Sequence, residues 1–198
     1  NFMDGLNSFV IGNFILILLS IYYVELQVNL NTFEFVLILQ NLIIISLVFF
    51  LFNAFGKCFL GDNGIYVFSL FISFLIISFI ENSNGLISPL MAAIFLWYPA
   101  FENLFSILRR IKKKEAIQKS DTLHLHSLIK YYLNLRYKKK YNQKTMNTMS
   151  AIIINSFLLP NFVLGALWYN NSIKLTILII TQIFLYIFIY NKLLEFKS

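Results

Sequence analysis

The chain has 198 residues, 59% of them hydrophobic, 18% aromatic and only 13% charged, with a mean hydropathy of +0.73 and a net charge of +7. Water-soluble domains run at about 45–50% apolar and about 25% charged, so an aqueous core cannot use this much apolar surface and lipid must be the solvent for most of the chain. The positive charge is concentrated in one segment between apolar runs, which argues against a nucleic-acid surface and for a membrane orientation signal.

Six apolar segments follow one another at roughly 8–24, 33–53, 64–80, 88–108, 148–169 and 173–190. Each is near the ~20 residues that a helix needs to cross ~30 Å of hydrocarbon. The expected fold is all-α, a polytopic membrane helix bundle. Polar punctuation separates the segments at Asn29-Leu30-Asn31, Gly61 to Gly64, Glu81 to Gly85 and Asn170-Asn171-Ser172. Pro160, beside Asn155 and Asn161 in the fifth segment, predicts a kink or break. The single cysteine, Cys58, excludes a disulfide within the chain; Lys57 beside it could activate the thiol, although a lone cysteine next to a membrane is usually inert. The chain begins at Asn1, inside what reads as a motif, so it is expected to be the C-terminal part, residues 1–198, of a longer integral-membrane domain.

The polar segment 109–147 carries most of the basic residues, from Arg109 to Lys144, against only Glu115 and Asp121. The positive-inside rule places it in the cytoplasm. Two spans separate it from Gly61-Asp62, and two more separate that turn from Asn1–Asn7, so three motif loops near 1–7, 54–64 and 109–147 are expected on one membrane face. The connections on the other face, near 25–32, 81–87 and 170–172, are short and hold no basic residue.

Each of the three patches admits a functional and a structural reading. In Asn1-Phe2-Met3-Asp4-Gly5-Leu6-Asn7, helical spacing puts Asn1, Asp4 and Asn7 on one face able to hold a polar ligand, while Asp4 or Asn7 could equally cap a helix. In Phe59-Leu60-Gly61-Asp62-Asn63-Gly64, a carboxylate between two glycines suits Mg2+ bound to a phosphate-bearing substrate, or simply an Asx turn. In Asp121-Thr122-Leu123-His124-Leu125-His126-Ser127, Asp121 can orient His124 if the segment is helical; if it is extended, His124 and His126 point the same way. Zinc would want three or four ligands and only these two imidazoles exist, and surface histidines with no role are the structural alternative. Glu102, inside the fourth segment after Pro99, is a functional residue or one half of a structural ion pair with Arg109, seven residues on.

Together the patches resemble the polyprenyl-phosphate N-acetylhexosamine-1-phosphate transferase family. Asn1 to Asn7 looks like its Asn-x-x-Asp-Gly-Leu-(Asn/Asp) motif, and Phe59 to Gly64 like its Phe-(Leu/Met)-Gly-Asp-x-Gly motif, with Asn53 and Lys57 upstream. Tyr98-Pro99 through Arg109-Arg110, then Asp121-x-x-His124-Leu125-His126, is similar to its Pro-x-x-Asp/Glu, Arg-Arg and Asp-x-x-His-x-His series. The resemblance implies transfer of a sugar-1-phosphate from a UDP-N-acetylhexosamine to polyprenyl (undecaprenyl) phosphate, releasing UMP at the cytoplasmic face of the plasma membrane, with Mg2+ or Mn2+ as cofactor. It implies Asp62 and Asp4 as metal ligands and catalytic carboxylates, Asn7 at the uridine, and His124 and His126 at the diphosphate. Asn1, Asn63, Glu102, Arg109, Arg110 and Asp121 would line the substrate site. The family's aspartate pair, on an earlier loop, is absent here, so the fragment alone is expected to be inactive. Ser8 and Ser127 stand where a glycine and a third histidine often occur, which favours an O-antigen, capsule or teichoic-acid type of initiating enzyme over the peptidoglycan branch. The partners implied are the nucleotide sugar, the prenyl phosphate and membrane lipid, with no nucleic acid; a homodimer is compatible with the chain but not specified by it. A multi-pass transporter or flippase, with Glu102, Gln40 and Asn155 lining a path, and a catalytically inactive relative are the competing readings.

Overall fold

In hydrocarbon no water pairs with exposed backbone amides, so each apolar stretch must satisfy its own as a helix. A computed structural model describes residues 6, 8–30, 33–114, 123–137 and 140–197. They form α1 (Phe9–Val28), α2 (Phe33–Ala54), α3 (Gly61–Glu81), α4 (Leu90–Lys113), α5 (Leu125–Tyr137), α6 (Gln143–Leu167) and α7 (Ser172–Glu195), with no strand among the described residues. All but α5 are long and apolar enough to cross a membrane. The chain is an all-α, multi-pass membrane protein.

Helix α1 is the hub. It is largely apolar and mostly buried, packed chiefly between α6 and α2, whereas α2 buries only Leu39, Ile43, Ser46 and Asn53 and turns Leu37, Ile44, Ile45 and Leu51 outward. A helix that is hydrophobic all round belongs either inside a bundle or in lipid, and here the two cases lie side by side. Polar contacts tie the bundle at both ends. At one, Thr148 Oγ1 donates to the carbonyl of Ala54 at 2.9 Å. At the other, the Ser88 amide donates to the carbonyl of Tyr169 at 2.8 Å and the Ser88 and Ser172 hydroxyls lie 2.8 Å apart. Between them Asn161 Nδ2 donates to the carbonyl of Ile94 at 3.1 Å, and a Cβ on Gly165 would lie 2.7 Å from Ile94 Cγ2. Small residues and interhelical amides are what hold helices together where lipid removes the hydrophobic drive.

Three sequence expectations need correction. The segment 109–147 is not one loop: α4 runs on to Lys113, α5 occupies Leu125–Tyr137 and α6 begins at Gln143. Gly61 to Gly64 do not form a turn between helices but open α3, with Asp62 in its first turn. Of the kink or break expected at Pro160, the break does not occur: α6 is continuous from Gln143 to Leu167. Four neighbours, α1, α4, α5 and α7, pack along α6, and that packing outweighs one missing backbone donor.

Candidate functional site

The site is built outward from the first residues of α1. Ser8 has a left-handed backbone, φ 69°, which a residue with a side chain adopts only when its surroundings hold it there. Two asparagines do so. The Ser8 amide donates to Oδ1 of Asn53 on α2, and Asn155 Nδ2 of α6 donates to the Ser8 carbonyl at 3.2 Å. Asn53 uses its other end as well, donating from Nδ2 to the carbonyl of Cys58 at 2.7 Å. This fixes the approach to the Gly61-Asp62 motif. A cavity of about 100 Å³ lies between the two motifs, lined among others by Leu6, Ser8, Asn53, Leu60 and Gly61.

The next residue along, Phe9, is fully buried and turns to the other side. Its ring meets Tyr98 of α4 edge-on at 5.7 Å between centroids and lies 5.7 Å from the His126 ring. His126 in turn stacks on His124, with centroids 5.3 Å apart and planes within 7°. The two imidazoles therefore share one side, although the segment is not the extended one for which that was expected, since His126 already belongs to α5.

Glu102, 1% exposed, holds the first of the two, His124. Its Oε1 lies 3.0 Å from His124 Nδ1 and accepts the Leu125 amide at 3.2 Å, while its Oε2 accepts the Tyr186 hydroxyl of α7 at 2.7 Å. The expected partner, Arg109, reaches elsewhere: Nη1 donates to the carbonyl of Leu123 at 2.8 Å and to the Tyr190 hydroxyl at 2.5 Å, and the guanidinium lies over the Tyr190 ring. Arg109 thereby pins the residue just before His124. Arg110 is buried in the last turn of α4.

Asp62 and Asn63 are exposed in the first turn of α3, where a carboxylate also complements the helix dipole. Gly61 enters that helix at φ 63°, a conformation open to glycine at no steric cost. Asn1, Asp4, Asn7 and Asp121 lie outside the described residues. Among the described residues no three His, Cys, Asp or Glu side chains cluster as a closed metal site would require. An exposed aspartate still fits Mg2+, a hard cation that takes one or two carboxylates and completes its shell with water and phosphate oxygens. Glu102 does not suit that role, because both its oxygens are engaged by protein donors.

Tyr186 and Tyr190 were not singled out from the sequence. The signal was present: Gln182, Tyr186 and Tyr190 recur every four residues on α7, and all three are buried. Polar-ended side chains on one stripe of an otherwise aliphatic span mark the face turned to the bundle.

An all-α membrane bundle with a buried carboxylate–histidine cluster at one end defines a polytopic membrane protein with an inset polar site. Over 128 residues, 64% of this chain and 35% of the relative, the chain is 32% identical to a probable undecaprenyl-phosphate N-acetylglucosaminyl 1-phosphate transferase from Bacillus subtilis (strain 168). The chain is similar to that transferase over this stretch and spans about a third of the length of that curated relative. No family model matches the chain, and no solved structure matches it significantly.

Proposed function

We propose that the protein transfers an N-acetylhexosamine-1-phosphate from a UDP-sugar to undecaprenyl or a similar polyprenyl phosphate, at the cytoplasmic face of the plasma membrane, to begin a lipid-linked surface glycan of the O-antigen, capsule or teichoic-acid kind. One observation carries this reading. Ser8 and Phe9, adjacent at the start of α1, touch Asn53 before the Gly61-Asp62 motif and His126 of the histidine motif respectively, so patches far apart in sequence meet at one end of the bundle. The similarity to the Bacillus subtilis protein supports it.

In this reading an oxygen of the lipid phosphate attacks the sugar-bearing phosphorus of the nucleotide sugar. A new P–O bond forms there, the bond to the bridging oxygen breaks, and UMP leaves. His124, His126, Arg109 and Arg110 would hold the diphosphate and orient it in line with the acceptor, Asn7 would take the uridine, and Asn1, Asn63 and Asp121 would complete the substrate site. Mg2+, or Mn2+ in its place, would be held by Asp62 with Asp4 and would offset negative charge on the phosphates.

A transporter would keep its polar groups at depth for the cargo. Here Asn155, Gln40 and Glu102 are each engaged by protein: Asn155 with Ser8, Gln40 with the Tyr22 hydroxyl at 2.9 Å, and Glu102 with three donors. The test is UMP release by membranes carrying the full-length protein, across a panel of UDP-sugars, with polyprenyl phosphate and Mg2+ each present or omitted. Release that needs both and is lost in Asp62→Asn is expected. No release from intact, folded protein with any sugar would favour the transporter or an inactive relative.

A further inference from the structure

An imidazole offers two different nitrogens, and a buried carboxylate on one of them decides which carries the proton. Glu102 is such a carboxylate for His124. Its Oε1 also receives the amide of Leu125, which can only donate, so the His124 Nδ1 contact at 3.0 Å is a second donation to the same acceptor oxygen. Its Oε2 receives the Tyr186 hydroxyl, and that ring has little freedom. It sits edge-on to Phe101 at 5.1 Å and Phe105 at 5.5 Å, and stacks on Tyr190 at 6.0 Å. Tyr186 is fully buried and Glu102 nearly so, leaving no water to compete for these bonds. The chain of contacts thus runs from α7 through α4 to the residue just before α5.

We propose that Tyr186 and Glu102 are positioning residues that keep a proton on His124 Nδ1 and aim the ring, so that a phosphate-bearing ligand is met by Nε2, which donates to it when the ring carries its second proton. The ligand is taken from the transferase reading above, but the Nδ1 proton is not. Neither positioning residue touches the ligand; each acts by fixing the ring.

The intact protein, 15N-labelled at histidine and held in nanodiscs, tests this by long-range 15N–1H correlation. The signals lost in a His124→Gln spectrum assign His124. A protonated Nδ1 is expected. Tyr186→Phe, which removes one oxygen and leaves the ring packing, should mix the tautomers. It should also lower kcat on the order of 10-fold with KM for the nucleotide sugar nearly constant. Glu102→Ala should do both more severely; if it fails to fold, Tyr186→Phe carries the test alone. A wild-type His124 with no proton on Nδ1 overturns the proposal. So does a Tyr186→Phe protein that loses thermal stability while its His124 spectrum stays as in the wild type. Wild-type protein that releases no UMP yet keeps the Nδ1 proton would sink the transferase reading and leave the positioning role standing.

Discussion

Asn155, midway along α6, donates its side-chain amide to the carbonyl of Ser8, 147 residues earlier in the chain, at 3.2 Å. With Asn53 on the amide side, it clamps a serine whose φ of 69° costs a residue with a side chain about 1–2 kcal/mol. Glycine would adopt the same backbone without that cost. Ser8→Gly should therefore raise stability by about 1 kcal/mol after its greater chain entropy is counted, whereas Ser8→Val should lower it. Thermal melting in detergent of both variants measures the difference, and a destabilised Ser8→Gly would show that the serine hydroxyl has a role of its own.

Gly12, one turn on, leaves the space that Asn155 occupies. A Cβ there would lie 2.1 Å from Asn155 Nδ2 and 3.3 Å from the Phe50 ring. Gly12→Ala should push the amide off the Ser8 carbonyl and cost about 1–3 kcal/mol. In an Asn155→Ala background the same change should cost less, because the amide is already gone. A double-mutant cycle reads this directly, and strict additivity would mean that the glycine is needed for some other contact.

Arg109 joins the Leu123 carbonyl and the Tyr190 hydroxyl through one guanidinium nitrogen, with the Ser106 hydroxyl 3.4 Å from the other. Lysine has the charge but not the planar fork. Arg109→Lys is expected to fold and to lose about tenfold in turnover, as the segment ahead of His124 is held less firmly. Steady-state UMP release, beside a melting curve, separates this from simple unfolding; unchanged turnover would remove Arg109 from the site's support.

Cys58 reports orientation. Cys58 is partly exposed at the same end of the bundle as Ser8 and Thr148. A membrane-impermeant maleimide should label it in inverted vesicles and not in intact cells. In a Cys58→Ser background, Leu86→Cys, exposed at the opposite end, should give the reverse pattern. Labelling of Cys58 from outside would place the whole site on the other face.

The sequence by itself determined the solvent and the elements. Its composition demanded lipid, and each span was legible because a helix in hydrocarbon satisfies itself, residue by residue, from local chain alone. The chemical types at the site were also legible, because a carboxylate between glycines and a pair of histidines are local patterns. Their partners were not. Helical spacing put Arg109 on the same face as Glu102, yet Glu102 is met by His124 from just before α5 and by Tyr186 from α7, 84 residues on. Likewise 109–147 looked like one basic loop, because the apolar face that makes α5 a helix is buried only once α6 and α7 lie against it. Partner choice depends on how helices rotate and cross as they pack, and no periodicity within one helix encodes that. Only the tertiary structure decided which side chains meet.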